Sequence, residues 1–291
     1  MARALAGRLA FAVALVLVAF IGVYVLTALA PGDPLDDGAR SQVSLSAERV
    51  RLGMDQPLLT RLSARLAGLA TLDLGTSLRY AQPVGPLLVD RAARTLRAGA
   101  AALLLALALG IPAGVAASRS PHAAVRRTID AATIVLISLP ALVVALGLVV
   151  VANALGLSAF VVMVTALALP AMALVARAQA RALDEVHDAT CLAAARARGV
   201  PESAVTWRHA WPLSLPAVLG LLGVVAGQVL SGALAIELIT TRPGLGLLTL
   251  EALTSRDLDL AAGCAGTAAL IVGACTLAAD AVLAWVDPRQ Q

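Results

Sequence analysis

AGAAALLLALALGIPAGVAA, residues 98–117, contains no charged or strongly polar side chain. A transmembrane helix needs roughly 20 mostly apolar residues, and this stretch reaches that length by itself. Comparable runs occupy residues 9–30, 131–152, 157–176, 213–236 and 261–286, and the charges crowd into the gaps between them. The 291 residues are 60% hydrophobic and 14% charged, with a mean hydropathy of +0.89. A soluble domain is about 45–50% apolar and about 25% charged. An ordinary cytosolic enzyme is excluded, and so is a membrane barrel, whose alternating strands run about 9–11 residues. The expected fold is an all-α polytopic membrane protein with six transmembrane helices. Its parts are an N-terminal transmembrane helix (1–30), an extracytoplasmic segment (31–96) and a five-helix core (97–291). A cytoplasmic two-helix loop (181–212) lies between the fourth and fifth spans.

Absences narrow the function. The sequence has no lysine, so all 22 basic residues are arginine. The phosphate loop G-x-x-x-x-G-K-[ST] depends on its lysine to reach the β/γ-phosphates, so any nucleotide-driven work falls to another polypeptide. The net charge of +4 comes from dispersed arginines without interleaved aromatics, which argues against nucleic acid as a partner. Cys264 and Cys275 are eleven residues apart in one apolar run, roughly 16 Å along a helix. A disulfide needs Cα atoms within about 7 Å. Cys191 lies in a polar segment, and all three thiols are expected free.

Orientation follows from arginine in the short loops. With the N-terminus inside, the inner face collects Arg3, Arg8, Arg119, Arg126, Arg127, Arg177, Arg181, Arg196, Arg198, Arg208 and Arg289; the short outer connections carry Arg242 and Arg256. Both termini are expected to be cytoplasmic. The first run ends in Ala28-Leu29-Ala30, which resembles a cleavage site. Its apolar core, however, exceeds the 7–15 residues of a signal sequence, so it is read as a retained helix.

The centres of the spans carry no ionisable group. Glu237 sits at an outer end, Asp130 at an inner end and Asp280 less than two turns from the inner end, while Gln228 is the deepest polar side chain. Ion-coupled carriers place ionisable groups at mid-bilayer, so a stand-alone secondary carrier is disfavoured; Asp280 is the one residue that supports it. Pro112, Pro140 and Pro170 read as kinks. Gly223 and Gly227 form a G-x-x-x-G pattern that permits close helix approach. His187 and Cys191, four residues apart, could present two metal ligands but lack a third, so no metal site is assigned. No nucleophile and base pair exists at membrane depth for a hydrolase.

The loop before the fifth span is the most organised polar segment. Leu183-Asp184-Glu185-Val186 opens a helical pattern that runs to Arg198 through strong helix formers. Gly199 suits a helix C-terminus. Val200 precedes proline and is biased away from α geometry. Pro201 suits the start of a new helix, with Glu202 in its first turn. Two helices with a sharp break at Gly199-Val200 are expected.

These residues resemble the cytoplasmic "EAA" loop of binding-protein-dependent ABC importer permeases, closest to the dipeptide/oligopeptide/nickel branch. The resemblance spans nearly the whole chain. It includes Pro31-Gly32-Asp33-Pro34, Leu52-Gly53-Met54-Asp55-Gln56-Pro57-Leu58, Leu72-Asp73-Leu74-Gly75-Thr76-Ser77 and Arg94-Thr95-Leu96. Further along it includes Pro243-Gly244-Leu245-Gly246, Arg256-Asp257 and Asp287-Pro288-Arg289. Ala194, Ala195 and Gly199 match the family's Ala-Ala-x-x-x-Gly element, and Arg208-His209 its Arg-His pair. Ala193 stands where the family has an acidic residue, and 211–216 reads Trp-Pro-Leu-Ser-Leu-Pro in place of a polar stretch.

The resemblance implies a permease subunit forming half of a translocation pore in the plasma or inner membrane. Its implied partners are a second permease subunit, two ATP-binding subunits that hold ATP and Mg, and an extracytoplasmic substrate-binding protein. The chain itself would hold no cofactor and would not be an enzyme. Asp184, Glu185, Ala194, Ala195, Gly199, Val200, Pro201, Arg208 and His209 would couple to the ATPase; Pro140, Gln228 and Glu237 would contact the translocation pathway. The implied cargo is a di- or oligopeptide, with nickel or a metal chelate as the alternative.

Overall fold

The computed structural model describes residues 2–30, 56–71 and 73–286. Pro31-Gly32-Asp33-Pro34, Leu52 to Asp55, Leu72 and Asp287-Pro288-Arg289 lie outside the described residues. Every backbone N–H inside a bilayer needs an internal partner, and this chain meets that need with helices. They are α1 (Ala2–Leu29), α2 (Leu58–Ala70), α3 (Val84–Arg119), α4 (Ala123–Ser138), α5 (Ala141–Leu155), α6 (Ala159–Glu185) and α7 (Thr190–Ala197). Then follow α8 (Glu202–Ala204), a π-helical turn (Val205–Ala210), α9 (Trp211–Gly220), α10 (Leu222–Thr240), α11 (Leu245–Thr254) and α12 (Leu258–Val286). Among the described residues the only β pairing is one isolated bridge, Thr76 to Pro83. Five helices are long and apolar enough to cross a membrane, and α4 with α5 makes a sixth span if the bent pair is counted as one.

Several boundaries differ from expectation. Residues 84–97, expected outside the second span, are the start of the 36-residue α3. The third span does not kink at Pro140 but breaks there, α4 and α5 meeting at 105°. Leu139, placed before proline, is extended (φ −83°, ψ 128°), as the steric clash with the proline ring demands. The fifth span is interrupted at Leu221, beside Gly220 and one turn after Pro216. The connection 237–260 contains α11, which buries Leu245, Leu248 and Ala252 from one face.

The chain divides into two compact units. In the unit of residues 95–242 and 274–286, α6 is the central helix, packed against α4, α5, α9 and α10. Lipid is as apolar as leucine, so helices associate in it chiefly through close packing of small residues. Here α3 presents Ala98, Ala102 and Ala106, all buried, one turn apart. Gly110 and Gly114 continue that stripe: a Cβ at Gly110 would lie 2.8 Å from the Met172 carbonyl oxygen, and one at Gly114 2.4 Å from that of Ala176. The close-approach motif is therefore Gly110-Ile-Pro-Ala-Gly114. Of the expected pair, Gly223 has only ordinary contact with Thr276 and Gly227 faces open space.

In the unit of residues 2–94 and 243–273, α2 is amphipathic. Leu58, Leu62, Leu66 and Leu69 pack on a buried cluster of Phe20, Tyr24, Leu258 and Ala262.

Candidate functional site: the segment around Gly199

The expected single helix over 183–198 is two pieces. α6 continues to Glu185, and a turn over 186–189 precedes α7, with the His187 N–H donating to the Asp184 carbonyl (3.1 Å). His187, Asp188 and Ala189 follow Val186 at this turn; histidine and aspartate are weaker helix formers than the alanines on either side. The break at Gly199 is present as expected. Gly199 has φ +78°, its N–H donates to the Arg196 carbonyl (2.9 Å) and the Val200 N–H to that of Ala195 (3.2 Å). This is the six-to-one, five-to-two closure of a helix end on a left-handed residue. Pro201 is the extended cap of α8 rather than its first residue. Across the break Arg196 pairs with Glu202 at 2.7 Å.

Beneath this geometry lies a small apolar core. Leu183, Leu192, Ala195, Val205 and Ala210 are buried together with Val115 of α3, and Val186, Val200 and Trp211 pack at its edge. Periodicity explains the result: Leu192 and Ala195 share one face of α7, leaving Ala194 and Arg198 on the other. Asp184, Glu185, Ala194, Gly199, Pro201, Arg208 and His209 are exposed, Ala195 is buried and Val200 is half-buried. Trp207 adds an exposed aromatic face beside Arg208. The structure thus gathers nine sequence-chosen residues into one segment with an apolar underside and a polar, partly basic outer side.

The segment is tied back at both ends. The Ser118 hydroxyl donates to Asp184 at 2.5 Å, and Arg119 donates to the Leu183 carbonyl and contacts His187. At the other end Gln179, fully buried, donates through Nε2 to the Ser214 hydroxyl (2.7 Å), which donates to the Trp211 carbonyl (2.8 Å). Gln179 lies against Gly114, so the close approach of α3 and α6 places the amide next to α9.

The three pathway residues are placed differently from one another. Pro140 and Gln228 are exposed on this chain. Glu237 is buried and accepts a hydrogen bond from the Thr95 hydroxyl at 2.5 Å. Among the described residues no group of three His, Cys, Asp or Glu side chains could hold a metal ion, and Cys191, Cys264 and Cys275 are free.

A second organised polar centre, in the other unit, has no counterpart in any local sequence pattern. Asp257 is completely buried. It accepts from the Ser77 hydroxyl (2.6 Å), the Arg79 N–H (3.2 Å) and the Leu260 N–H (3.2 Å), so it caps α12 while clamping residues 77–79. Nearby, the Tyr80 hydroxyl donates to Glu251; burial first, and then this carboxylate, push the phenol above its usual range. Ser77 and Asp257 belong to separate motifs of the resemblance, and only the fold joins them.

The helices and the Gly199 segment define a polytopic membrane protein of the transport permease class. The chain belongs to the family described as binding-protein-dependent transport system inner membrane component, whose family model matches residues 110–291. It is 30% identical to a protein of Brucella suis biovar 1 (strain 1330) named as a peptide permease, over 97% of both chains. A protein of Brucella abortus (strain 2308) named as a peptide transport system permease is 28% identical, over 97% of this chain and 96% of the relative. A Staphylococcus aureus (strain bovine RF122 / ET3-1) nickel import system permease protein is 28% identical, over 92% of this chain and 85% of the relative.

Proposed function

We propose that this chain is one permease subunit of an ATP-driven importer of di- or oligopeptides. It pairs with a second permease subunit to form the pore and holds no ATP, Mg or other cofactor itself. Two ATP-binding subunits engage it from the cytoplasm, and an extracytoplasmic binding protein delivers the cargo. Both termini and the 181–212 segment are cytoplasmic in this reading, and 31–96 lies mostly outside. The peptide cargo is supported by similarity over 97% of the chain to relatives named for peptide transport. Coupling is supported by the exposed side of the Gly199 segment, whose shape is set by the break and whose position is set by the Arg119 and Gln179 ties.

Nickel, or a nickel chelate, is the second reading, favoured by the similarity to the nickel import permease. Uptake in a strain lacking this chain decides between them. Radiolabelled dipeptide uptake should fall to background and return on complementation, while nickel-63 uptake stays unchanged. Loss of nickel uptake with peptide uptake intact would overturn the cargo assignment. Uptake that persists after ATP depletion and follows the proton gradient would overturn the ATP-driven mechanism.

A further inference from the structure

Where α6 passes from apolar sequence to charge, a cavity of about 450 Å³ opens between α4, α6 and the α9–α10 break. Its walls carry Ile137, Leu174 and Leu221, and its polar side is formed by Arg177, Arg181 and Glu185. All of these residues lie within one compact unit. Arg177 and Arg181 are four residues apart on one helix and so share a face. Neither has a hydrogen-bond or ion-pair partner among the described residues, in contrast to Arg119, Arg126 and Arg196. Arg177 is half-buried.

A half-buried guanidinium that no carboxylate bridges is unfavourable, and Arg177 and Arg181 on successive turns repel each other; Glu185, one turn further along at the exposed end of the cavity, offsets at most one of the two charges. An anion between them relieves both costs. A phosphate group fits the planar guanidinium donors, which can grip it through two parallel bonds. The apolar walls decide what carries the phosphate. A free ion would leave Ile137, Leu174 and Leu221 facing water, whereas an acyl chain covers them. Basic pockets between transmembrane helices bind anionic headgroups in this way.

We propose that this cavity binds the phosphate of an anionic phospholipid through Arg177 and Arg181, with an acyl chain lying along Ile137, Leu174 and Leu221. In the orientation proposed above, the lipid belongs to the cytoplasmic leaflet. Bound there, it fills the notch beside Leu221 and bears on the junction through which the Gly199 segment joins α10. The site is independent of cargo, so its test does not depend on whether peptide or nickel is carried.

The test is a lipid titration of the assembled transporter, purified in detergent and followed by native mass spectrometry. Phosphatidylglycerol should remain bound at ratios where phosphatidylcholine of the same chains dissociates. The double variant Arg177→Gln/Arg181→Gln should weaken phosphatidylglycerol at least tenfold while keeping its membrane level and its partner subunits. Arg127→Gln, an exposed arginine outside the cavity, should leave the affinity unchanged. Inorganic phosphate and glycerophosphoglycerol, which lack acyl chains, should compete only weakly. Equal binding of both lipids would overturn the proposal, as would full affinity in the double variant. Competition by inorganic phosphate as strong as by the lipid would assign the cavity to a soluble anion instead. If the double variant keeps phosphatidylglycerol affinity but loses the second permease subunit, the arginines pair with protein carboxylates and the lipid site falls.

Discussion

The Asp257 clamp and the Gly199 segment are both built from family-like motifs, yet they are stabilised in opposite ways. The clamp is buried chemistry: a carboxylate with no solvent access accepts three hydrogen bonds from residues far apart in sequence. The segment is backbone chemistry: a left-handed glycine, local carbonyl closures and an exposed ion pair over a small apolar floor. Substitution in the clamp should therefore act on folding, and substitution on the outer side of the segment on transport.

The largest expected stability effect is Asp257→Ala. It leaves the Ser77 hydroxyl and two N–H groups without their acceptor, and hydrogen bonds to a buried charge are the costly ones to lose. A loss of about 3 kcal/mol is expected, seen as a lower unfolding temperature and reduced membrane abundance. Near-normal abundance would show that the clamp is not structural, and the contrast between the two regions would disappear.

Gly199→Val is intermediate in stability and large in function. No atom lies within 4 Å of a Cβ at this position, so only the positive φ is penalised, at about 1–2 kcal/mol. Membrane level should stay near normal while transport falls below about a tenth, because α8 and the π-helical turn beyond it are re-aimed. Normal transport would show that the break is incidental.

Arg208→Glu should be the mildest for the fold. The side chain is exposed, and such changes stay within about 0.5 kcal/mol. The expected effect is weaker association with the ATP-binding subunits, more marked at low salt, where exposed charges are less screened. An association that does not depend on salt would remove Arg208 from the contact.

How much of this was legible in the sequence depended on the range of the interactions. The Gly199 break was readable because Gly199, Val200 and Pro201 act on their own backbone. The Arg196–Glu202 pair across it has no local signature, since it exists only once the break has turned the chain. Gly110-Ile-Pro-Ala-Gly114 and Gly223/Gly227 have the same spacing, and a glycine spacing does not reveal which face meets a neighbour; only the packing of α3 on α6 singles out the first pair. The apolar run continues through Pro140, so the sequence predicts a kink there; the extended Leu139 turns it into a corner. The Ser77–Asp257 bond links residues 180 positions apart, beyond any local pattern.

The central claim is that the Gly199 segment touches the ATPase, and a native thiol on α7 can test it directly. Cys191 is exposed on that helix, whereas Cys264 is buried and Cys275 is half-buried. A benzophenone maleimide coupled to Cys191 of the assembled transporter should, on irradiation, join this chain to an ATP-binding subunit without needing a thiol on the partner. The product should have the summed mass of the two chains, be absent in Cys191→Ser and diminish in Gly199→Val. Absence of that product with Cys191 fully labelled, or a product containing the extracytoplasmic binding protein instead, would contradict the account.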